Sequence, residues 1–157
     1  MPDMLVNLLN LPCDPSLFER LSGEGIQIRR ALTPDQIGVT EWVREQFGKH
    51  AAGECQAAFA RQPVACILAT RGRTPIGYAC YDATYRNFFG PTAVLESERG
   101  KGIGKALLLT ALQSMRDIGY AYAIIGGVGP AAFYEKNVGA ILIPDSAPGI
   151  YRDFLQL

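Results

Sequence analysis

Glycines alternate with basic residues directly before the longest helical pattern of the chain, in Arg99-Gly100-Lys101-Gly102-Ile103-Gly104-Lys105. An apolar stretch that ends at Val94-Leu95 precedes them, so the pattern predicts a strand, a glycine loop and a helix in succession. The first turn of a helix has backbone N–H groups without internal partners and carries partial positive charge. Glycines let a phosphate approach that backbone closely. We therefore predict a pyrophosphate-binding loop, in which Arg99, Lys101 and Lys105 add positive charge.

The spacing of these glycines differs from that of two common nucleotide-binding motifs. A Walker A loop has four residues between its first glycine and its Gly-Lys pair, and Ser or Thr follows. Here three residues lie between Gly100 and Gly104, and an alanine follows the lysine. A dinucleotide fingerprint has two residues between its second and third glycines, whereas Ile103 alone separates Gly102 from Gly104. The spacing therefore argues against ATP and NAD as ligands of this loop.

The elements around the loop follow from the alternation and spacing of apolar residues. The long helix covers residues 102–118, and the strand after it, residues 120–125, is almost continuously apolar, as in a strand covered on both faces. The order of elements indicates the α+β (mixed α/β) class, with one central mixed sheet and helices on both faces. The other predicted elements are strands at 26–31, 64–70, 75–82, 88–95 and 140–143, and helices at 34–47, 53–61 and 130–136.

The length of 157 residues indicates one folded domain, at 25–157, preceded by an extension at 1–24. The pattern of the extension predicts an edge strand followed by a short helix. Lys plus Arg balances Asp plus Glu at 15 each, so no global basic field points to nucleic acid. Apolar runs are too short to cross a bilayer, and Met1-Pro2-Asp3-Met4 lacks the basic start of a secretory signal. We therefore expect a cytoplasmic protein without nucleic-acid or membrane partners; residues 144–157 stay unassigned.

The cysteines are scattered and contain no Cys-x-x-Cys pair, and His50 is the single histidine. Structural zinc sites usually combine such pairs of ligands at short spacing. We therefore expect reduced thiols in the core of a cytosolic protein, and no bound metal. The cysteines are Cys13, Cys55, Cys66 and Cys80.

Two segments match a known family in sequence and in order. Arg99 to Gly104 fits the pattern Gln/Arg-x-x-Gly-x-Gly/Ala, and Pro130-Ala131-Ala132-Phe133-Tyr134-Glu135-Lys136 is similar to Ala-x-x-Phe-Tyr-x-Lys. In these segments, and in element order over about residues 26–143, the chain resembles the GCN5-related N-acetyltransferase (GNAT) family. It departs from the family's pattern at Val128, where the family often has Asn, and after the lysine region, where it is one residue longer.

The resemblance implies that acetyl-CoA lies in a V-shaped gap where two adjacent parallel strands splay apart. Here these are the strand that ends at Val94-Leu95 and the strand at 120–126. The main chain of Val94 and Leu95 would pair with the pantetheine arm. Tyr134 stands where the family has the general acid that protonates the departing CoA thiolate, and a tyrosine with a pKa of about 10 keeps that proton at neutral pH. The backbone N–H groups that would hold the pyrophosphate belong to Gly100, Gly102, Ile103 and Gly104.

The activity implied is transfer of an acetyl group from acetyl-CoA to a primary amine of a small molecule, by direct attack in a ternary complex. No metal or covalent intermediate is implied. The alternatives are a non-catalytic acyl-CoA-binding or sensing module and a protein N-acetyltransferase. Dimers are frequent in the family, so a homodimer is an open expectation.

The general base and the acceptor site are less well defined by the sequence. Glu96, Glu98, Asp82 and a water chain are all candidates for the base. His50 follows the first helix, near the position of the family's acceptor-site lid. Aromatic residues on the first helix and the middle strands are candidates for the acceptor pocket: Trp42, Phe47, Tyr81 and Phe89, with Tyr85 and Phe88 beside them.

Overall fold

The computed structural model describes residues 1–157 and confirms the predicted α+β class, with a seven-stranded mixed sheet and five helices. The strands are β1 (Met4–Asn7), β2 (Ile26–Arg30), β3 (Cys66–Arg71), β4 (Thr74–Tyr81), β5 (Phe88–Val94), β6 (Tyr122–Ile125) and β7 (Ile141–Leu142). The helices are α1 (Pro15–Gly23), α2 (Gln36–Phe47), α3 (Lys49–Phe59), α4 (Ile103–Asp117) and α5 (Ala131–Val138). Short 3₁₀ turns lie at Leu8–Asn10, Thr33–Asp35, Glu96–Glu98 and Gly149–Tyr151.

The N-terminal strand is the main departure from the predicted arrangement. The sheet order is β2-β3-β4-β5-β6-β1-β7, so β1 is an inner strand, antiparallel to both neighbours, and the edge-strand prediction is wrong. Met4 and Val6 of β1 are buried. β7 is shorter than the predicted strand 140–143 and pairs with β1 alone. Residues 1–24 therefore contribute to the same sheet and core as the rest of the chain.

An irregularity in β5 lies close to the place where the sheet opens. The interval from Ala79 to Tyr81 in β4 faces the longer interval from Phe89 to Thr92 in β5, which makes a β-bulge at the Gly-Pro step of β5. A bulge of this kind bends its strand. β5 and β6 are parallel but pair at only two positions, the last of them Phe89 with Ile125. Beyond that pair the strands diverge, which confirms the predicted splayed pair.

Helices cover both faces of the sheet. Gly77 of β4 faces α4, because a Cβ there would lie 3.1 Å from Leu107 Cδ1. The next residue, Tyr78, points to the opposite face. Its ring packs against Trp42 and Phe47 of α2, with ring centroids 6.0 and 5.6 Å away. α2 and α4 therefore lie on opposite faces of the sheet.

The apolar stripe of α4 holds this helix against the sheet. Burial of each leucine of the stripe contributes roughly 1.5–3 kcal/mol relative to exposure. Ile118, the last residue of the predicted helix, is 47% exposed because the helix ends at Asp117. The start of α4, and the glycine loop before it, are thereby fixed relative to the splayed strands. The buried residues of the stripe are Ile103, Leu107, Leu108, Ala111, Leu112 and Met115.

Candidate active site

The gap between β5 and β6 opens into a cleft of about 640 Å³ beside the start of α4. The predicted loop residues other than Lys101 face this one cleft, and so does the predicted acid. Leu95 and Lys101, also predicted to bind the cofactor, lie outside its lining. The predicted residues within the lining are Phe89, Val94, Glu98, Arg99, Gly100, Gly102, Ile103, Gly104, Lys105 and Tyr134.

The glycine loop leaves the first turn of α4 open toward the cleft. Gly100 and Gly102 have φ of +79° and +86°, in the left-handed region that favours glycine. A Cβ at Gly102 would also lie 2.7 Å from Leu17 Cδ1 of α1, so packing requires glycine here as well. No side chain caps α4. The N–H groups of its first turn, at Ile103 and Gly104, are therefore available to an anion.

The basic residues of the loop differ in their partners. Lys105 Nζ lies 2.6 Å from Asp14 Oδ2, and Lys101 Nζ lies 2.6 Å from Glu98 Oε2. Arg99 has no carboxylate partner, and its Nε donates to a main-chain carbonyl oxygen 3.3 Å away. Of the three predicted cationic partners of a phosphate, Arg99 is therefore the one whose charge is not already paired.

β5 presents main-chain groups to the gap, and one of them, the Val94 carbonyl oxygen, accepts the hydrogen bond from Arg99 Nε at 3.3 Å. Leu95 N–H donates to the Ile76 carbonyl oxygen, 2.9 Å away. Residues of an antiparallel ladder alternate between bonded and non-bonded pairs. The main-chain groups of Val94 and Thr92 therefore point away from β4, toward the side where β6 has diverged. Val94 has the orientation that the resemblance implies, whereas the N–H of Leu95 is already bonded.

A second cavity, of about 610 Å³, adjoins the cleft. Its wall is formed by β5, the loop after β6 and the C-terminal turn, and Glu54 of α3 also lines it. The two cavities meet, because four residues line both of them. These shared residues are Phe89, Thr92, Pro130 and Tyr134.

Tyr134 lies at this junction with a buried ring and an unbonded hydroxyl. Its ring packs edge-on against Phe133 and Phe89, with centroids 5.1 and 6.3 Å away. Its hydroxyl has no hydrogen-bond partner in the protein, although only 7% of the residue is exposed. Burial raises the pKa of Tyr134 above the ordinary tyrosine value. The hydroxyl thus stays protonated at neutral pH and is available to a group in the cavities.

The carboxylates predicted as bases lie outside the second cavity. Hydrogen bonds from Arg71 and Lys101 lower the pKa of Glu98 to about 2, which holds this side chain as an anion within ion pairs. Asp82 accepts hydrogen bonds from a backbone N–H 2.7 Å away and a tyrosine hydroxyl 3.0 Å away, and it lines a different pocket. Glu96 is exposed on the surface.

Glu54 is the carboxylate that the sequence reasoning missed. It is half-buried in the wall of the second cavity, and its Oε1 accepts a hydrogen bond from the Thr84 hydroxyl. Burial raises the pKa of Glu54, and the hydrogen bond from Thr84 and the nearby His50 oppose this effect. Its one sequence signal is its position four residues after His50, which places both on one side of α3.

Most of the predicted acceptor-site aromatics lie elsewhere. Trp42 and Phe47 pack together, 5.5 Å apart, on the α2 side of the core and line neither cavity. Tyr81 is buried, and its hydroxyl accepts a hydrogen bond from Arg30. Phe89 lines both cavities. Of the four predicted residues, Phe89 is therefore the one that the fold brings to the junction.

The C-terminal residues form part of the wall of the second cavity. The Tyr151 ring packs on the glycine pair after β6, where a Cβ on Gly126 would lie 3.0 Å from it. Phe154 lies 5.7 Å from Tyr151 and stacks on His50 at 4.8 Å between ring centroids. The Gly126-Gly127 pair therefore admits an aromatic ring from the C-terminal turn.

Three of the scattered cysteines come together in the core, away from both cavities. The Sγ atoms of Cys55, Cys66 and Cys80 lie within 4.8 Å of one another, and all three residues are buried. Burial raises the pKa of the Cys80 thiol. The group includes no fourth His, Cys, Asp or Glu, whereas a structural zinc site normally has four ligands. Cys13 is exposed.

A mixed sheet whose parallel strands splay beside an uncapped helix N-terminus offers a gap that suits a ligand with an anionic group. The profile of the Acetyltransferase (GNAT) family matches residues 28–140. The chain belongs to this family, whose members are acetyl-CoA-dependent acyltransferases. None of the helices has the length and hydropathy that a membrane span requires.

Solved structures of similar fold include three proteins of low sequence identity. The GCN5-related glucosamine N-acetyltransferase region of a fungal multi-domain β-N-acetylglucosaminidase superposes with a TM-score of 0.74 at 14% identity over 90% of the chain. GCN5-related N-acetyltransferases from Sphaerobacter thermophilus and Kribbella flavida give TM-scores of 0.65 and 0.60, at 20% and 17% identity over 90% of the chain. The chain spans 19%, 48% and 53% of these three solved chains. A comparison with curated protein sequences finds no match.

Proposed function

We propose that the chain transfers the acetyl group of acetyl-CoA to the primary amine of a small molecule, by direct attack in a ternary complex. The observation that carries this proposal is the meeting of two cavities at Tyr134. A donor in the cleft beside α4 and an acceptor in the second cavity would have their reacting groups at the shared wall. Holding two reactants together in this way supplies much of the acceleration of a bimolecular reaction.

The cleft beside α4 suits the donor. The first-turn N–H groups and Arg99 would bind its pyrophosphate, and the main chain of Val94 would pair with its pantetheine amides like a substitute strand. Membership of the GNAT family supports acetyl-CoA as this donor. The main-chain N–H of Thr92, at the shared wall, would stabilise the oxyanion, a kind of contact worth roughly 3–4 kcal/mol in other enzymes.

The reaction requires the donor sulfur to gain a proton. The neutral acceptor nitrogen bonds to the carbonyl carbon, and the C–S bond then breaks. Tyr134 gives its proton to the sulfur, and the proton that the nitrogen loses on becoming an amide returns to the tyrosine. Acetyl-CoA and an alkylammonium thus become an amide, the CoA thiol and one released proton.

The second cavity supports a small acceptor over a protein substrate. Its volume of about 610 Å³ lies within the range of about 300–1,000 Å³ that small-molecule sites occupy. Pro148, Tyr151 and Phe154 wall it on the side of the C-terminal turn. A compact amine fits this volume.

The test is release of CoA from acetyl-CoA across a panel of primary amines, with the acetylated product identified by mass spectrometry. CoA is measured by chromatography, because the exposed Cys13 would itself react with thiol reagents. We expect amine-dependent release of CoA and one acetylated amine per CoA formed. Binding of acetyl-CoA without release of CoA for any amine would instead support an acyl-CoA-binding module.

A further inference from the structure

Resting on the proposed function, we infer that the acceptor is a primary amine with an apolar or aromatic body and no anionic group, and that the Glu54 carboxylate receives its ammonium. The second cavity is the site of this recognition. Glu54 is thereby the residue that selects a cationic acceptor and takes up its proton.

The charge within the cavity points to a cation. Glu54 is the one side chain in the lining of the second cavity that carries a charge at neutral pH, and the other charged group of the lining is the α-ammonium of Met1, a residue that is 73% exposed. No Lys or Arg forms a salt bridge with it, and its neighbour Thr84 is neutral. A half-buried carboxylate without a cationic partner is costly, so an arriving ammonium would find an unmet interaction.

The rest of the lining points to an apolar body. Aromatic rings of Phe89, Tyr134, Tyr151 and Phe154 surround the cavity. The faces of such rings attract both apolar groups and cations. A primary amine carried on an aryl or alkyl body matches both properties of the wall.

The same lining disfavours two other kinds of amine. No Arg, Lys or His side chain lines the cavity, and the one cationic group of the lining is the α-ammonium of Met1, a residue that is 73% exposed, so the carboxylate of an amino acid would have no buried partner there. The hydroxyls of Thr84 and Thr92 are used, since they donate to Glu54 and to the Tyr78 carbonyl oxygen. The other side-chain hydroxyls in the lining belong to Tyr134 and Tyr151, so an amino sugar would replace only part of the hydrogen bonds that its own hydroxyls make with water.

Glu54 also completes the proton balance of the transfer. The ammonium gives one proton to the Glu54 carboxylate, directly or through one water, and the nitrogen becomes nucleophilic. Glu54 then releases this proton to solvent. Tyr134 returns to its starting state with the second proton of the nitrogen, so both residues are regenerated.

The experiment compares matched amines with wild-type chain and two variants. 2-Phenylethylamine and phenylalanine differ by one carboxylate, and glucosamine represents the polar acceptors. We expect wild-type kcat/KM to be highest for 2-phenylethylamine and to fall about a hundredfold or more in the Glu54→Gln variant. Acetyl-CoA affinity should stay unchanged. The Glu45→Gln variant, on the exposed side of α2, removes the same charge and should behave as wild type.

Each outcome separates the inference from the proposed function. Equal turnover of 2-phenylethylamine by wild type and Glu54→Gln would overturn the role of Glu54 while the transferase activity stands. Faster turnover of phenylalanine or glucosamine would overturn the acceptor class. If no amine is turned over, calorimetry with CoA present decides: binding of 2-phenylethylamine to wild type but not to Glu54→Gln supports the site alone, and no binding overturns it.

Discussion

At the scale of single residues, Tyr134 combines a buried ring with a hydroxyl that makes no hydrogen bond to the protein. Buried tyrosines usually place their hydroxyl against a hydrogen-bond partner. Here the hydroxyl has none, and the ring is fixed between Phe133 and Phe89 at the wall shared by the two cavities. Such a residue keeps a proton in a defined place where only bound molecules can receive it.

Replacement of this residue by phenylalanine tests its role as an acid. The Tyr134→Phe variant keeps the ring packing, so we expect normal folding and an unchanged Kd for acetyl-CoA. Loss of the proton donor should lower kcat about a hundredfold or more. Steady-state kinetics and calorimetry measure the two quantities. A rate equal to that of the wild type would remove Tyr134 from the mechanism.

Glu54 leads to a prediction about pH. Burial raises its pKa, while Thr84 and His50 act in the opposite direction; Tyr151, across the cavity, stays neutral because burial raises its pKa too. Since the carboxylate is the active form, kcat/KM for the amine should fall on acidification at a higher pH than an ordinary carboxyl would give. The profile of Glu54→Gln should lack this acidic limb, and an identical limb in both proteins would contradict the assignment.

The raised pKa of Glu54 also determines how this residue affects the stability of the fold at different pH. The folded state binds a proton at Glu54 more tightly than the unfolded state does. The contribution of Glu54 to the free energy of unfolding therefore falls as the pH rises from the ordinary carboxyl pKa through the raised one. At neutral pH the charged Glu54 therefore disfavours folding. We expect Glu54→Gln to have an equal or higher Tm than the wild type, which separates a loss of activity from a loss of fold.

At the scale of elements, the start of α4 is both a packing contact and a binding site. Gly102 cannot separate the two roles, because a side chain there would meet Leu17. Gly104 can, since a Cβ there would lie 3.8 Å from Phe133 and 3.9 Å from Val94, which is ordinary contact. The family's pattern also admits Ala at this position. Gly104 is therefore the better site for testing the loop.

We expect Gly104→Glu to abolish CoA binding and Gly104→Ala to fold at least as well as wild type, because alanine favours helix. A carboxylate at the phosphate site should cost several kcal/mol, or at least about a hundredfold in Kd. Calorimetric titration with CoA gives both affinities, and circular dichroism checks the fold. If the two variants bind CoA equally, the loop does not hold the pyrophosphate.

The sequence predicted what depends on neighbouring residues. The glycine loop, α4 and the Phe133-Tyr134 pair were found because strand, turn and helix signals lie within one continuous segment. Glu54 was missed because α3 reaches the second cavity only through packing against distant strands. The cysteine group was missed for a similar reason, since Cys66 and Cys80 face each other across β3 and β4 while Cys55 comes from α3. Such contacts depend on pairing between remote segments.

At the scale of the whole molecule, the ends of the chain are built into the sheet and the site. β6 pairs with β1 and β1 with β7, so the first strand joins the last one to the rest of the sheet. Asp3 strengthens this connection: its Oδ1 accepts from Gly127 N–H at 2.7 Å, and its own N–H donates to the Ser146 hydroxyl at 2.8 Å. The loop after β6, which lines the second cavity, is thus held by residues before β1.

This arrangement predicts that residues 25–157 do not form an independent domain. Without residues 1–24, β7 has no strand to pair with and β6 loses a neighbour. We expect the truncated chain to unfold far below the wild-type Tm in a circular-dichroism melt.

Val6→Asp, which buries a charge at a fully enclosed position, should lower the free energy of unfolding by about 3 kcal/mol or more. Asn7→Asp, on an exposed neighbour, is the matched control and should melt like the wild type. A truncated chain that melts cooperatively near the wild-type Tm would show that the first strand is dispensable to the sheet.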